Sequence, residues 1–503
     1  MAYPLVGPHT DGVQQAAGPR RPSPGCARGH AAAAVDGSAG TTAMTSTRPS
    51  ALAGAFQGDL IGPDHPEYDT FRRCFNRDHD QHPALVARCT GPEDVRAALH
   101  HARENVLGVS VRGGGHSAPG YSSCDGGLVI DTSPMKRVEI DTDARTGRFG
   151  AGLTWGELDA ATQEFGLAVT GGRVSDTGVA GLTLGSGSGW LERMYGPTAA
   201  SLLSAEVVTA DGRILRADAE HEADLFWGLR GGGGNFGVVT EFEFRLHPVG
   251  PLLYAGLLLH PRSAAGALTR FYRDFMEQAP DEVTGALALI SAPPAEFVPE
   301  QVRGEPACGV IVVYVGDVAE GEKALSPLVE WGDPWVRMVG PMPYTAVQTM
   351  LDAGTPVGVS EYFKVDYLPE LPDEAIDTAL AQAEGITAPL TQLIFCPMGG
   401  ASRLDADHMA LSIPPTKWVY FCLAIWWGSD GRERHIDWTR SFHAAMRPWA
   451  TGTSVPNFIG GDEGTARLRN SYGPEKYARL VALKDRYDPD NVFALNQNVP
   501  PSG

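Results

Sequence analysis

Apolar and polar positions change rhythm three times along the chain. Residues 1 to 55 hold Ala, Gly, Pro, Ser and Thr with almost no large apolar side chain. Such a stretch cannot bury enough surface to offset the entropy of ordering, so a disordered tail is predicted there. Met44 opens "MTSTRPSALAGAF", which reads like a natural start; the residues before it are expected to be a mis-assigned start or vector sequence. From Phe56 the pattern tightens. "DHPEYDTFRRCFNRD" (64–78) predicts an amphipathic helix. The next stretch reads as strand, helix, strand: "GPEDV" supplies turn residues and first-turn acids, and "VLGVSVR" is a short β-branched run. "LLSAEVVTADGRILRAD" predicts a hairpin turning on Asp211 and Gly212. "DLFWGLRGGGGNFGVVTEFEFRLHPVG" reads as helix, glycine turn and long strand.

Beyond Pro251 glycine thins out and strand-like runs alternate with helical ones. "YAGLLLH", "GALALISAP", "CGVIVVYVG", "TQLIFCP" and "WVYFCLAIWW" are strands by pattern, while "AAGALTRFYRDFMEQ" and "PDEAIDTALAQAEG" are helices. The fold class this predicts is α+β, its second half an antiparallel sheet covered by helices on one face. The boundaries expected are a tail at 1–55, a first domain at 56–250, a second at 251–454 and a C-terminal segment at 455–503. That segment holds a helix, a "DPDN" stop and an extended run.

Composition narrows the function classes. The chain has 503 residues, 43% hydrophobic, and a net charge of −20, which disfavours nucleic acid and anionic membrane surfaces as main partners. No run approaches the roughly 18 apolar residues of a membrane span, and "AAAAV" is too short for a signal sequence, so a soluble cytoplasmic protein is expected. Seven scattered cysteines without a CxxC pair predict no metal site and no disulfide framework, only small buried apolar side chains.

Three glycine clusters carry the chemistry: Gly113–Gly115, Gly178–Gly189 and Gly231–Gly237. Glycine lets backbone N–H groups lie against an anion. "RGGGHS" does not open a helix, lacks GxGxxG spacing and has no P-loop lysine, so neither common nucleotide motif applies. Three clusters point to a long ligand gripped at several places, such as a dinucleotide.

"VRGGGHSAPGYSSCDGGLVIDTSPM", "GVAGLTLGSGSGWLERMYG", "VVTADGRIL", "DLFWGLRGGGGNFGVVTEFEF" and "YDPDNVFALNQNVPP" together resemble the berberine-bridge-enzyme-like FAD-linked oxidases of the vanillyl-alcohol-oxidase superfamily. The resemblance covers residues 57–503, and within the family it is most similar to the Favorskii-type flavin oxygenases of enterocin biosynthesis. It implies a PCMH-type FAD-binding domain of two α+β subdomains at 56–250, with the substrate domain after it. The histidine of "GGGHS" is the family's link to the 8α-methyl of FAD, so His116 is the implied covalent anchor. Arg112, Gly113, Gly114, Gly115, Ser117 and Gly120 would surround the cofactor, with Val174, Ser175, Gly178, Val179, Gly181, Gly185 and Gly189 from the second cluster. Val239, Asn457, Asn496 and Asn498 complete the implied set. Many relatives carry a second, cysteinyl link in a GxCxxxG segment; here it reads "GRVSDTG" with Val174 at that place, so a single link is implied. Val179 stands where the family controls oxygen access, and valine there goes with dioxygen as acceptor.

The implied chemistry needs a base beside the flavin. The family's YxN tyrosine is Val455 here, and the glutamate after "TQL" is Ile394. Tyr420 falls where plant relatives place a glutamate. It becomes the expected catalytic phenol, and Lys364 the cation that lowers its pKa from near 10. The bland alternative makes Tyr420 a core aromatic and Lys364 a surface group, and His408 a surface-loop residue. The function expected is oxidation, by dioxygen, of an alcohol, phenol or activated carbon in an aromatic or polyketide-like secondary metabolite of the antibiotic-biosynthesis kind. The alternatives are a flavin-oxygen-adduct oxygenase and a non-redox cyclase or scaffold with structural FAD. The expected partners are that small molecule and dioxygen, in a monomer or homodimer.

Overall fold

The computed structural model describes residues 56–403, 406–411, 413 and 415–503. The tail expected at 1–55, Met44 and Cys26 lie outside the described residues. Three large sheets organise the described residues, beside a two-stranded pairing of Leu167–Ala168 with His247–Pro248. In the first, strands Leu85–Arg88 and Val109–Arg112 flank Leu128–Asp131 in parallel, and Asp59–Ile61 adds an antiparallel edge. Helix Pro92–Glu104 packs on it through Val95, Ala98, Leu99 and Ala102, an i, i+3, i+4, i+7 stripe. Acids at its first turn and basic residues at its last agree with its dipole.

The second sheet is antiparallel, in the order Val138–Asp141, Thr146–Gly150, Val238–Arg245, Leu202–Val208, Ile214–Asp218. Its last two strands are the expected hairpin, and Gly212 at φ +84° supplies the turn conformation that disfavours a side chain. Helix Trp155–Gln163 beside it is opened by a capping box in which Thr154 and Glu157 each bond the other's backbone N–H.

The third sheet has seven antiparallel strands: Val336–Pro343, Leu252–Pro261, Pro306–Tyr314, Val283–Ser291, Gln392–Pro397, Trp418–Trp426 and Ser360–Leu368. Successive side chains alternate between its faces. One face carries Leu287, Leu393, Phe395, Trp418, Tyr420 and Cys422 under the helices Ala265–Gln278, Asp373–Ala383 and Arg432–Met446. The other carries Ile394, Cys396, Val365, Phe363, Val419 and Phe421 into one continuous core with Trp155, Val179, Leu184 and Trp190 of the glycine-rich half. Each of these large apolar side chains contributes about 1.5–3 kcal/mol by leaving water. The α+β class and the helix-covered antiparallel sheet are as expected.

One element differs. The helix expected at 64–78 is only Tyr68–Arg72. The chain turns extended at Arg73 and runs across to the third sheet, where Asn76 Nδ2 donates to Ala118 O (2.8 Å) and Glu361 O (2.9 Å). Tertiary bonds from Asn76 outweigh local helix propensity there. The six described cysteines are buried. No described helix is long and apolar enough to cross a membrane.

Candidate active site

The strand Val109–Arg112 delivers its end into the loop that begins at Gly113. Among the described residues no hydrogen bond within the protein uses the backbone N–H of Gly113, Gly114, Gly115, His116 or Ser117. Buried or half-buried amides are normally satisfied, so this run is a ready acceptor site for an anion. The loop lies against the second glycine cluster. A Cβ on Gly114 would fall on the backbone nitrogen of Gly178, and one on Gly178 would fall on that of Gly114. The second cluster meets the third where Gly233 N–H donates to Leu184 O at 2.9 Å. The third meets the C-terminal run: Asn235 Nδ2 donates to Gln497 O at 3.1 Å, and its Oδ1 accepts from Val499 N–H at 2.9 Å. All three clusters and both chain ends of the expected cofactor set are thus joined.

Three asparagines on that junction carry an orphan acceptor. Asn457 Nδ2 donates to Gly181 O at 3.0 Å and Asn496 Nδ2 to Phe493 O at 2.9 Å, yet Oδ1 of Asn457, Asn496 and Asn498 is buried without a donor. Ser186 Oγ is orphaned in the same way. Open amides, orphan acceptors and a Gly181 with open space where a Cβ would stand fit a large polar molecule with phosphates and a hydrogen-bonding ring system, such as FAD.

His116 lies within the amide run. Its ring stacks on Phe75 at 4.4 Å and 17°, and its Nε2 lies 2.7 Å from Asp176 Oδ1. That contact with His116 holds the Asp176 carboxyl below the ordinary range, although burial acts the other way. Nearby, Glu361 projects from strand Ser360–Leu368 into a cavity of about 510 Å³, shared with Asn76, His79, Pro119 and Tyr362. Its carboxylate is half-buried and has no hydrogen-bond partner among the described residues. Desolvation pushes it up to about 7, with His116 pulling the other way.

Several expected residues do other work. Ser175 gives its N–H (2.9 Å) and hydroxyl (2.6 Å) to the Asp352 carboxylate, which leaves it no donor for a cofactor. Gly120, at φ +81°, forms a turn packed on the His79 ring, where any side chain would collide. The Arg112 guanidinium donates to Arg73 O at 2.6 Å. Gly189 lets its backbone pass against Gly171, Gly185 lies against the Asn457 side chain, and Val174 is half-buried in the turn closed by Thr177 N–H. Val179 and Val239 are core residues. His408 is exposed.

Tyr420 is placed on the helix-covered face and not toward the glycine-rich half. Its hydroxyl meets His443 Nδ1 at 2.7 Å, its ring packs edge-on against Phe442, and burial drives its pKa well up. Lys364 shares that face but is engaged by Asp462 (2.9 Å) and Glu463 (3.5 Å). The expected pair thus lies on the helix-covered face, away from the glycine clusters. The register explains it: Asp366 pairs with Tyr420 and Tyr367 with Val419, so the phenol turned toward the glycine-rich half is Tyr367. Arg173 acts electrostatically on Tyr367, and donates to Gly189 O at 3.1 Å. Sequence reasoning missed Glu361, Tyr367 and Asp176. The alternation of "EYFKVDY" held the signal for the first two, since it sets Glu361 and Tyr367 together and opposite Lys364.

Comparison with known proteins bears on the fold and the cofactor. Residues 83–218 match the model of an FAD binding domain, and residues 457–500 that of the berberine and berberine-like family. The (R)-6-hydroxynicotine oxidase of Paenarthrobacter nicotinovorans is 30% identical over 464 residues, 89% of this chain and 98% of that protein. An FAD-linked oxidoreductase of Dictyostelium discoideum is 28% identical over 83% of this chain and 89% of its own. Among solved structures, 6-hydroxy-D-nicotine oxidase of Arthrobacter nicotinovorans superposes with a TM-score of 0.80 at 28% identity, covering 89% of this chain and 98% of its own. BBE-like 1 of Physcomitrella patens gives 0.80 at 22% identity, over 90% and 99%, a likeness of fold. None of these is an enterocin-pathway oxygenase, so that narrower resemblance is left without support.

Proposed function

This chain belongs to the berberine and berberine-like family of FAD-linked oxidoreductases, and from that premise we propose that it is an oxidase with a single covalent flavin, tethered at His116. Its substrate is a small aromatic or polyketide-like molecule carrying an alcohol, a phenol or an activated carbon, and its acceptor is dioxygen. The observation that carries the proposal is the run of five unbonded amides from Gly113 to Ser117, which includes that of His116, beside a half-buried, unpartnered Glu361.

Gly113–Ser117 would hold the pyrophosphate, with Asn457, Asn496 and Asn498 offering their orphan Oδ1 atoms to N–H groups of the cofactor's rings. FAD, when bound, supplies the two-electron acceptor for hydride. The protein's own part is to hold the substrate and take its proton. Glu361, raised to about 7, is the group poised to do so near neutral pH, because a base works best with a pKa near the working pH. The apolar face of Ile394, Phe363, Val365 and Phe421 excludes water and favours an aromatic guest. The hydroxylated pyridine that names the 30%-identical relative is a substrate of that kind.

Two measurements test the proposal without knowledge of the substrate. A denatured gel band should fluoresce under ultraviolet light after acid treatment, and His116→Ala should abolish it. Enzyme reduced by light under nitrogen, then mixed with air-saturated buffer, should reoxidise faster than free flavin and yield one peroxide per flavin. Reoxidation no faster than free flavin would remove dioxygen as the acceptor. Labelled oxygen found in a product, with little peroxide, would favour an oxygenase instead.

A further inference from the structure

We propose that Asp176 is the positioning residue that readies His116 for attachment to the flavin; this rests on the assignment of His116 as the tether. A histidine forms such a bond only through a ring nitrogen that carries a lone pair. Asp176 Oδ1 stands 2.7 Å from Nε2. The contact is one of charge at close range and lacks the angle of a hydrogen bond; a carboxylate that near favours the ring proton on Nε2 and leaves Nδ1, which has no partner among the described residues, with the lone pair. Phe75, stacked on the ring, prevents it from turning over.

The loop that presents Asp176 is fixed on both sides. Ser175 is tied to Asp352, its carbonyl accepts from Gly156 N–H at 2.8 Å, and Thr177 O accepts from Trp155 N–H at 2.9 Å. Just beyond, Gly178 is locked backbone to backbone with Gly114. This is the segment in which many relatives carry a cysteine tether. Val174 holds that place here, and the same loop instead brings an acid to the histidine. Glu361, the other carboxylate facing His116, acts from the third sheet at longer range.

In the step itself, the Nδ1 lone pair forms a bond to the 8α carbon, and that carbon releases a proton. The electron pair passes to the ring system, which is left reduced until dioxygen removes the pair as hydrogen peroxide. The imidazole becomes a cation, with its Nε2 side 2.7 Å from the Asp176 carboxylate. The carboxylate thus sets the tautomer beforehand and balances the charge afterwards.

The test follows attachment rather than turnover. Full-length protein is made in flavin-starved cells and given FAD, and intact mass is read over time alongside the acid-releasable flavin. Wild type should gain the mass of one FAD and His116→Ala none. Asp176→Asn and Asp176→Ala should hold FAD non-covalently and attach it roughly a hundredfold more slowly, with Asp176→Glu recovering part of the rate. Attachment at the wild-type rate in Asp176→Asn overturns the proposal. So does equal loss of bound and attached flavin in that variant, since the carboxylate would then serve the fold. Wild type that never gains mass overturns the tether itself.

Discussion

Asp159 makes the stability of the fold depend on pH. It lies on helix Trp155–Gln163, fully buried, and accepts from Gln348 Nε2 at 2.8 Å. Gln348 closes helix Tyr344–Gln348, so the contact ties the glycine-rich half to the third-sheet half. Asp159 Oδ1 and Gln348 Oε1 are both buried acceptors without a donor. Desolvation pushes the carboxyl from 3.8 up to about 7, and Tyr344 beside it carries no charge to relieve it. The folded protein therefore keeps a proton that the unfolded chain releases near pH 4. Stability contributed by the neutral acid is complete below that value, declines as pH rises and is gone above about pH 7. At 1.36 kcal/mol per unit the whole decline is roughly 4 kcal/mol, about 3 of it between pH 5 and pH 8. Asp159→Asn cannot ionise, and its amide N–H can serve Gln348 Oε1. The stability gap between variant and wild type should therefore widen in the variant's favour by about 3 kcal/mol from pH 5 to pH 8. Denaturant unfolding of flavin-loaded protein at both values measures it. A gap that stays constant, or narrows, would show that Asp159 is ionised in the folded state and that its burial is compensated by other means.

Three further substitutions probe the site. Gly114→Ala drives a methyl into the Gly178 backbone and should cost about 1–3 kcal/mol, with flavin content on purification falling in step. Tyr420→Phe leaves His443 Nδ1 without its partner and should lower stability by about 1–3 kcal/mol; flavin reduction at saturating substrate should be unchanged, and a lost reductive step would restore Tyr420 to the chemistry. With any compound found to bleach the flavin anaerobically, the wild-type reduction rate should rise about tenfold from pH 6 to pH 8, as Glu361 ionises around 7. Glu361→Gln should be at least roughly a hundredfold slower and flat across that range; an unaltered pH profile would exclude Glu361 as the base.

What the sequence could and could not show divides along one physical line. The cofactor half was legible because its signal is local. Glycines spaced along a strand-loop pattern are needed wherever two backbones touch, and Gly114 against Gly178 is such a contact. The register of hairpins and the helix stripe of Val95, Ala98, Leu99 and Ala102 are likewise written in short-range periodicity. The short run after Arg72 was misread because Asn76 finds its partners at Ala118 and Glu361, far along the chain. The substrate side failed for a related reason. Alternation correctly groups Trp418, Tyr420 and Cys422 on one face, and Glu361, Phe363, Val365 and Tyr367 on another. It cannot say which face meets the cofactor, because that depends on what covers each one. Helix Arg432–Met446 covers the first, bringing Phe442 and His443 onto Tyr420. The glycine-rich half covers the second. A strand buried on both faces has no polar side to mark its outside, so its pattern partitions the residues without orienting them. The one ionisable acid in that strand's inward set besides the Tyr367 phenol is Glu361, at its open end, where its carboxylate faces the cavity beside His116. A lone acid at such a place is costly to keep unless it has a proton to take.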